Sequence, residues 1–267
     1  KFSINYSTQT AVLCRAGRIQ LDYFKTPDWP FLIEEAQKIK PTAVHFRLAA
    51  GRKKLALKDL DAVDKIANQT KTPFINLHLE AKKRDFPDVP ADSQDPKHFD
   101  QVFSQAVLDV ELVISRFGKD RVIVENLPYR CKGSLLRLCT EPDFIYRVVA
   151  ETGCGFLLDI PHARITALSL GREEHSYFEA LPVQSLKELH FTGVHAFGDW
   201  YQDHLPAEAS DWIALDWVLA QIRIGAWPKP WMIAYEVGGV GEKFAWRTSA
   251  QPIERDARRI FDSISEF

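Results

Sequence analysis

Eight short apolar runs alternate with longer amphipathic segments along the chain, and this alternation restricts the fold more than any other feature of the sequence. Some runs, such as Val122-Ile123-Val124, are apolar without a break, which is typical of parallel strands buried on both faces. The eight predicted strands are Phe2–Ser7, Ile19–Phe24, Ala43–Phe46, Phe74–Leu79, Val122–Glu125, Gly155–Asp159, Glu188–Phe191 and Trp231–Glu236. They predict a parallel sheet.

Between the strands, apolar residues recur three and four positions apart, which is the spacing of an amphipathic helix. The predicted helices are Trp29–Ile39, Leu57–Ala67, His98–Phe117, Glu141–Ala150, Ala214–Ile224 and Ile253–Ile264. The stretches Lys83–Lys97 and Gly193–Ser210 show neither pattern and are predicted to be long loops.

A strand followed by a helix, repeated about eight times, predicts an α/β protein with a closed (β/α)8 TIM barrel. The chain has 267 residues, which suits one barrel, so we expect a single domain over residues 1–267. An open doubly wound sheet is the alternative. The glycine-rich signatures of nucleotide-binding sheets are missing after the first predicted strand.

Charge and composition make some classes of protein improbable. The formal net charge is −2, which argues against a general nucleic-acid binder. No apolar run approaches the roughly 20 residues that span a bilayer, and the first residues show no signal-peptide pattern. The four cysteines match no zinc or redox motif. We therefore expect a cytoplasmic protein that does not bind membranes.

Histidines and carboxylates are concentrated where the predicted strands end. In a TIM barrel the carboxyl ends of the strands meet at one face, which carries the active site. The residues expected at these ends or just beyond them are His45, His78, Glu125, Asp159, His162, His190 and Glu236, and the loop after the seventh strand adds His195, Asp203 and His204.

Imidazole and carboxylate together are ligands for zinc, manganese and non-haem iron. The candidates are too many for one ion, and two ions commonly act together in such sites. Glu125 follows three β-branched residues, where a carboxylate is costly to bury unless it is paired or binds metal. For His45 and His78, a hydrogen-bonded histidine of the core is an equal alternative. No catalytic base is assigned, because every candidate base is also a candidate ligand.

Several motifs resemble those of a known family. The segments VIVENLPY, GFLLDIPHARITALSLG and ELHFTG, followed by a late Glu on the last strand, resemble the multinuclear non-haem iron family that includes methanobactin oxazolone synthase. That family belongs to the xylose-isomerase-like TIM-barrel superfamily. The resemblance implies two or three metal ions, with iron favoured, near the carboxyl ends of the strands.

Motif by motif, the resemblance implies a set of metal ligands. For one of them, two residues are alternatives. Asn126 is implied as a group that supports Glu125. The family's Asp-x-His after the seventh strand corresponds here to Gln202-Asp203-His204, so Gln202 stands in the acid's place unless Asp203 substitutes for it. A two-metal variant is therefore an alternative. The implied ligands are His45, His78, Glu125, Asp159, His162, His190, Asp203, His204 and Glu236.

The resemblance also implies an activity, which is oxidation of a cysteine in a small ribosomal peptide with molecular oxygen, often with a partner protein that presents the peptide. Alternatives from the same superfamily are a divalent-metal sugar isomerase or epimerase acting on a small molecule, and a metal-dependent phosphoesterase of the abasic-site endonuclease type. The small negative net charge argues against an endonuclease, because proteins that bind DNA rely on basic residues to contact its phosphates. A metal-binding protein without catalysis is a further alternative.

Overall fold

A computed structural model describes residues 1–131 and 133–265 of the chain. Their strands are β1 (Phe2–Asn5), β2 (Tyr23–Pro27), β3 (Thr42–His45), β4 (Leu48–Ala50), β5 (Ile75–Leu79), β6 (Val122–Glu125), β7 (Gly155–Asp159), β8 (Leu186–Phe191), β9 (Gly193–Phe197), β10 (Trp200–Leu205) and β11 (Met232–Tyr235). Their α-helices are α1 (Thr8–Arg15), α2 (Pro30–Gln37), α3 (Leu60–Thr70), α4 (Pro96–Phe117), α5 (Pro142–Thr152), α6 (Ile160–Leu170), α7 (Glu174–Glu179), α8 (Ala209–Arg223) and α9 (Ala250–Ile264).

Nine of these strands form one parallel sheet in the order β3-β2-β1-β11-β8-β7-β6-β5-β4. The two ends of this order, β3 and β4, are consecutive pieces of one strand, interrupted at Phe46 and Arg47. The sheet therefore closes on itself and is an eight-stranded (β/α)8 barrel, as the sequence predicts.

The strand interiors are apolar because both faces of each strand are covered. All residues of β6 and β7 are buried, the inner side chains by the barrel and the outer ones by the surrounding helices. The longest helix, α4, buries Val102, Ala106 and Val110 along one side. Among the described residues, no helix is both long enough and apolar enough to cross a membrane.

Local signals in the sequence set several helix boundaries. Proline lies in the first turn of α2, α4, α5 and α6, where its missing N–H breaks no helical hydrogen bond. Helices α5 and α6 end at Gly153 and Gly171, both with positive φ. Strand β7 passes directly into α6, whereas long connections separate β5 from α4 and β6 from α5.

Two predictions of secondary structure were wrong. The second strand was expected at Ile19–Phe24 but lies at Tyr23–Pro27; Ile19 and Leu21 are buried in the core without being strand residues. Gly193–Ser210 was expected to be a loop, but it contains an antiparallel hairpin of β9 and β10. In both cases burial or pairing with distant residues decided the conformation, and a short stretch of sequence does not contain that information.

Candidate metal centre

The barrel brings most of the predicted site residues to its carboxyl-terminal mouth. His45, Glu125 and Asp159 are the last residues of β3, β6 and β7. The strand register pairs His78 with Glu125 and Asp159 with His190. Glu236 directly follows β11, and His162 lies one turn into α6, three residues after Asp159.

These side chains form three overlapping groups, in each of which one ligand atom per residue lies within 4.8 Å of the others. The first group is His45, His78 and Glu125; the second is His45, His190 and Glu236; the third is Glu125, Asp159 and His162. Glu125 belongs to the first and third groups, and His45 to the first and second. The three groups are therefore one continuous cluster rather than separate sites.

Glu125 connects two groups through its two carboxylate oxygens. Oε2 lies 3.4 Å from Nε2 of both His45 and His78. Oε1 lies 3.5 Å from Nδ1 of His162. A carboxylate that faces two sets of imidazoles in this way can bridge two ions.

The cluster contains buried polar atoms that form no hydrogen bond within the described part of the chain. They include Nδ1 of His45, Oε2 of Glu125 and Nδ1 of His190. Such atoms are costly to bury without a partner. Because imidazole nitrogens and carboxylate oxygens are the donors that iron, zinc and manganese use, these residues fit a metal centre.

The electrostatics of the cluster favour a bound cation. Burial disfavours the charged form of Glu125, but the neighbouring His78 outweighs it and holds the pKa of the Glu125 carboxyl well below the usual value. Burial also opposes protonation of His162, yet Asp159, Asp203 and Glu125 raise its pKa to about 10. The carboxylates thus hold a proton on His162 in the absence of another positive charge.

His45 differs from His162, because burial is its largest influence and shifts its pKa well below the usual value. Its ring is therefore neutral at physiological pH and keeps a lone pair for ligation. Nδ2 of Asn76 lies 3.1 Å from Nε2 of His45, so a cation at that nitrogen would displace any hydrogen bond between them.

Asn126, which the family resemblance implies as a group that supports Glu125, is fully buried and links the ends of two strands. Its Nδ2 donates to the carbonyl of Asp159 and its Oδ1 accepts from the N–H of Asp159, each over 2.9 Å. Its own carbonyl lies 2.9 Å from Nδ1 of His162. Asn126 thus fixes the positions of two members of the third group.

The β9–β10 hairpin brings Asp203 to the cluster. Oδ2 of Asp203 lies 3.2 Å from Nε2 of His162 and 3.4 Å from Nη2 of Arg130. Burial opposes ionisation, but His204, His162 and Arg130 outweigh it and keep the pKa of Asp203 well below its usual value. Gln202 donates its side-chain amide to Oδ1 of Asp203 over 2.8 Å.

Two other predicted candidates lie outside the three groups. His204 has a φ of 59°, and its Nδ1 lies 2.6 Å from the carbonyl oxygen of Glu236. Nε2 of His195 lies 2.8 Å from the carbonyl oxygen of Pro206. In both cases one ring nitrogen is engaged with the backbone at the mouth of the barrel.

Sequence reasoning missed two buried residues beside the cluster, Lys25 and Glu188. The Lys25 ammonium is buried, pairs with Glu188 and lies 2.6 Å from Nε2 of His190. Glu188 is two residues before His190 on β8, so both side chains point to the same side of the sheet. That spacing was a usable signal; Lys25 was overlooked because the second strand was predicted to end at Phe24.

A cleft of about 560 Å³ opens beside the third group. His162 and Asp203 line its inner side, and Glu80, Lys82 and Arg130 contribute charged groups. A neighbouring cleft of about 530 Å³ shares Arg130 and is lined by Leu168, Trp200 and Tyr201. The two clefts are adjacent, because Arg130 and Gly133 line both of them.

Comparison with protein families gives one family over most of the chain. The model described as "RiPP precursor modification enzyme MbnB/TglH/ChrH" matches residues 32–223, which is more than half of the chain and contains all three groups except Glu236.

A curated relative gives a shorter match. A UPF0276 protein of Caulobacter vibrioides (strain NA1000 / CB15N) is 36% identical over 75 residues, covering 27% of this chain and 26% of the relative. The matched part of the chain thus spans about a quarter of that relative's length.

Solved structures of low sequence identity share the fold. Endonuclease IV from Thermus thermophilus superposes with a TM-score of 0.57 at 14% identity, with all of both chains covered. The 3-keto-D-glucoside 4-epimerase YcjR from E. coli gives a TM-score of 0.59 at 14% identity, covering 98% of this chain and 100% of the epimerase. These likenesses support the barrel fold and carry no information on the reaction.

Proposed function

This chain belongs to the MbnB/TglH/ChrH family of RiPP precursor modification enzymes, and from that premise we propose that it is a metal-dependent oxidoreductase that modifies a cysteine of a small ribosomally made peptide. The observation that carries the proposal is the cluster of three groups, in which Glu125 and His45 are each shared between two. Two or three ions would share these ligands.

Iron is the metal that we favour. The donors are imidazoles and carboxylates from several strands, without a thiolate among the three groups, a set that also accepts zinc or manganese. When bound, iron would supply one-electron redox chemistry and lower the pKa of a substrate thiol. The chain's own contribution is to hold the donors in place through Asn126 and the strand register.

The two clefts support a peptide as the substrate. Arg130 lies between them and is held by the carbonyl of Tyr201 and the carboxylate of Asp203, so its guanidinium is fixed in orientation. Trp200 is 45% exposed and offers an apolar wall to side chains of a peptide. The first cleft would place a cysteine next to the third group.

The proposal extends to partners and location. A partner protein that presents the peptide is part of it, and a small-molecule substrate is the alternative for the same clefts. We also propose a cytoplasmic location, which the four free cysteines support because a reducing compartment keeps thiols unpaired.

The proposal is tested with protein purified without chelators or metal-affinity columns. Elemental analysis should give two or three equivalents of iron, and anomalous scattering should place them at the three groups. Zinc or manganese in these positions would instead favour hydrolysis or isomerisation.

Activity is then measured by mass spectrometry on cysteine-containing precursor peptides, in air and under nitrogen. We expect a change in peptide mass that requires oxygen and is absent when the cysteine is replaced by serine. Glu125→Gln provides the inactive control. An identical product profile in air and under nitrogen would refute the oxidative reaction.

A further inference from the structure

The loop that follows β11 packs against the β9–β10 hairpin at the mouth of the barrel. Its centre is a short 3-10 helix, Glu242–Arg247. The N–H of Gly238 donates to the carbonyl of His204, near the end of β10, over 2.9 Å. The ring of Trp246 meets that of Phe197 in the hairpin edge to face, with the centroids 6.3 Å apart. Arg247, at the end of the 3-10 helix, is therefore held at the rim of the mouth.

The side chain of Arg247 has no hydrogen-bond partner in the described part of the chain. Its Nε is buried and unpaired. Its guanidinium carbon lies 4.5 Å from the centroid of the Phe244 ring, which covers one face of the group but leaves its N–H donors unused. The two Nη groups also form no hydrogen bond with described residues and, unlike Nε, they reach the solvent. Arg247 thus carries donors that an acceptor from outside the chain can use.

Two other arginines at the mouth are paired with carboxylates. Arg52 donates to Glu80 over 2.9 Å, and Arg130 donates to Asp203 over 3.4 Å. The charge of Asp203 also acts on Arg247, but the two form no ion pair. Burial lowers the pKa of the Arg247 guanidinium, and Asp203 offsets this only in part. Arg247 therefore differs from these arginines in having no carboxylate of the described chain as a partner.

An unpaired cation is a costly use of a half-buried position. Removing a charged donor from water without giving it an acceptor lowers stability. Positions that break a rule of stability in this way are often functional. Asp203, whose charge acts on Arg247, lines the first cleft, where the proposed function places the substrate. We therefore expect the missing partner of Arg247 to come from the substrate.

We propose that Arg247 binds a carboxylate of the substrate peptide, with its two Nη groups donating to the two carboxylate oxygens. Guanidinium and carboxylate are both planar and match each other in such a pair. The buried Nε and the Phe244 ring hold the guanidinium in one orientation, so little freedom is lost on binding. This inference deepens the proposed function and rests on it for the peptide. An acidic side chain and a C-terminus offer the same carboxylate, and the test separates these two sources.

The test is the binding of three short peptides to zinc-loaded protein, because zinc fills the metal site without redox chemistry. Each peptide contains one cysteine and carries the same neutral fluorophore. The first has an aspartate beside the cysteine and an amidated C-terminus. The second has an asparagine in that place and a free C-terminus, and the third has the asparagine and the amide and therefore no carboxylate. Fluorescence anisotropy gives the Kd of each.

We expect the first or the second peptide to bind roughly 10-fold more tightly than the third, as a charge-assisted bidentate pair would require. In Arg247→Gln this preference should disappear while the third peptide binds as it does to wild type. Arg247→Lys keeps the charge without the fork of donors and should keep part of the preference.

Arg147→Gln is the matched control, because Arg147 also stacks on aromatic rings, those of Phe99 and Phe103, but lies on the outer helix α5. It should keep the full preference. Loss of an unpaired cation should leave the melting temperature of Arg247→Gln unchanged or higher, whereas a structural role would lower it.

A preference that persists in Arg247→Gln would overturn the inference. Equal or undetectable binding of all three peptides to wild type would overturn it as well. The proposed reaction fails separately, through the absence of iron or of an oxygen-dependent change in peptide mass. That result would leave a peptide preference set by Arg247 standing.

Discussion

At the residue scale, Glu125 shows how one side chain can define a site. Its position after Val122, Ile123 and Val124 predicts a buried carboxylate that needs a partner, and it is buried at the end of β6. Its two oxygens face different histidines, which no local pattern specifies. Glu125 could therefore be identified as a candidate from the sequence. Its position between two groups of histidines could not.

The acid of the family's Asp-x-His motif corresponds in this sequence to either Gln202 or Asp203. The structure favours Asp203, because its carboxylate lies beside His162. We expect Asp203→Asn to weaken metal binding at the third group by more than about tenfold, since its carboxylate contacts His162. Gln202→Ala, which removes only the amide bonded to Asp203, should weaken binding by less. Competition with a chromogenic chelator measures both. A larger effect of Gln202→Ala would assign the position to residue 202 instead.

At the element scale, the start of α8 is fixed by a buried carboxylate. Asp211 accepts hydrogen bonds from the N–H groups of Glu208 and Val194 over 2.7 and 3.1 Å. It also pairs with Arg164 of α6. One side chain thus caps a helix, fixes the start of the β9–β10 hairpin and connects two helices.

We expect Asp211→Asn to lower the free energy of unfolding by about 3 kcal/mol, because Arg164 then stays buried with Glu174 as its one ionic partner among the described residues. Asp216→Ala on the same helix is the control; its ion pair with Arg259 is half-exposed and should contribute about 0–1 kcal/mol. Urea unfolding measures both. Equal losses in the two variants would mean that the buried pair does not hold α8.

Helix boundaries could be predicted where proline or glycine marks the end of a helix in the sequence. Proline in the first turn and glycine after the last are local signals, and the corresponding helix α5 lies within about two residues of its prediction. The β9–β10 hairpin is different, because the approach of its two strands requires Gly193, where a Cβ would lie 2.0 Å from the carbonyl oxygen of Pro206. That close approach exists only in the folded chain.

At the scale of the whole molecule, ring closure brings ligands together from distant parts of the sequence. His45 and Glu236 are members of the same group, although they are separated by most of the chain. A metal ion bound there connects the first and the last parts of the barrel. Metal binding should therefore be coupled to global stability.

We expect chelation to lower the melting temperature of the metal-loaded protein by about 5 °C or more. An ion present at 100 times its Kd stabilises the folded state by about 2.7 kcal/mol, and a domain of this size loses roughly 2–4 °C per kcal/mol. Calorimetry with and without chelator measures the shift. Glu125→Gln should show a much smaller shift, and His195→Gln, outside the three groups, should behave like wild type. A similar shift in Glu125→Gln and wild type would contradict a stabilising cluster.

The class of fold and most of the candidate ligands can be read from the sequence alone. Strand and helix periodicity are local, and histidines and carboxylates at strand ends are visible once the strands are placed. Folding of the barrel was needed to show which candidate residues belong to two groups, that the third strand is split into β3 and β4, and that Lys25 lies beside His190. The reason is physical: these features depend on distances between residues far apart in sequence, which exist only after the barrel has closed.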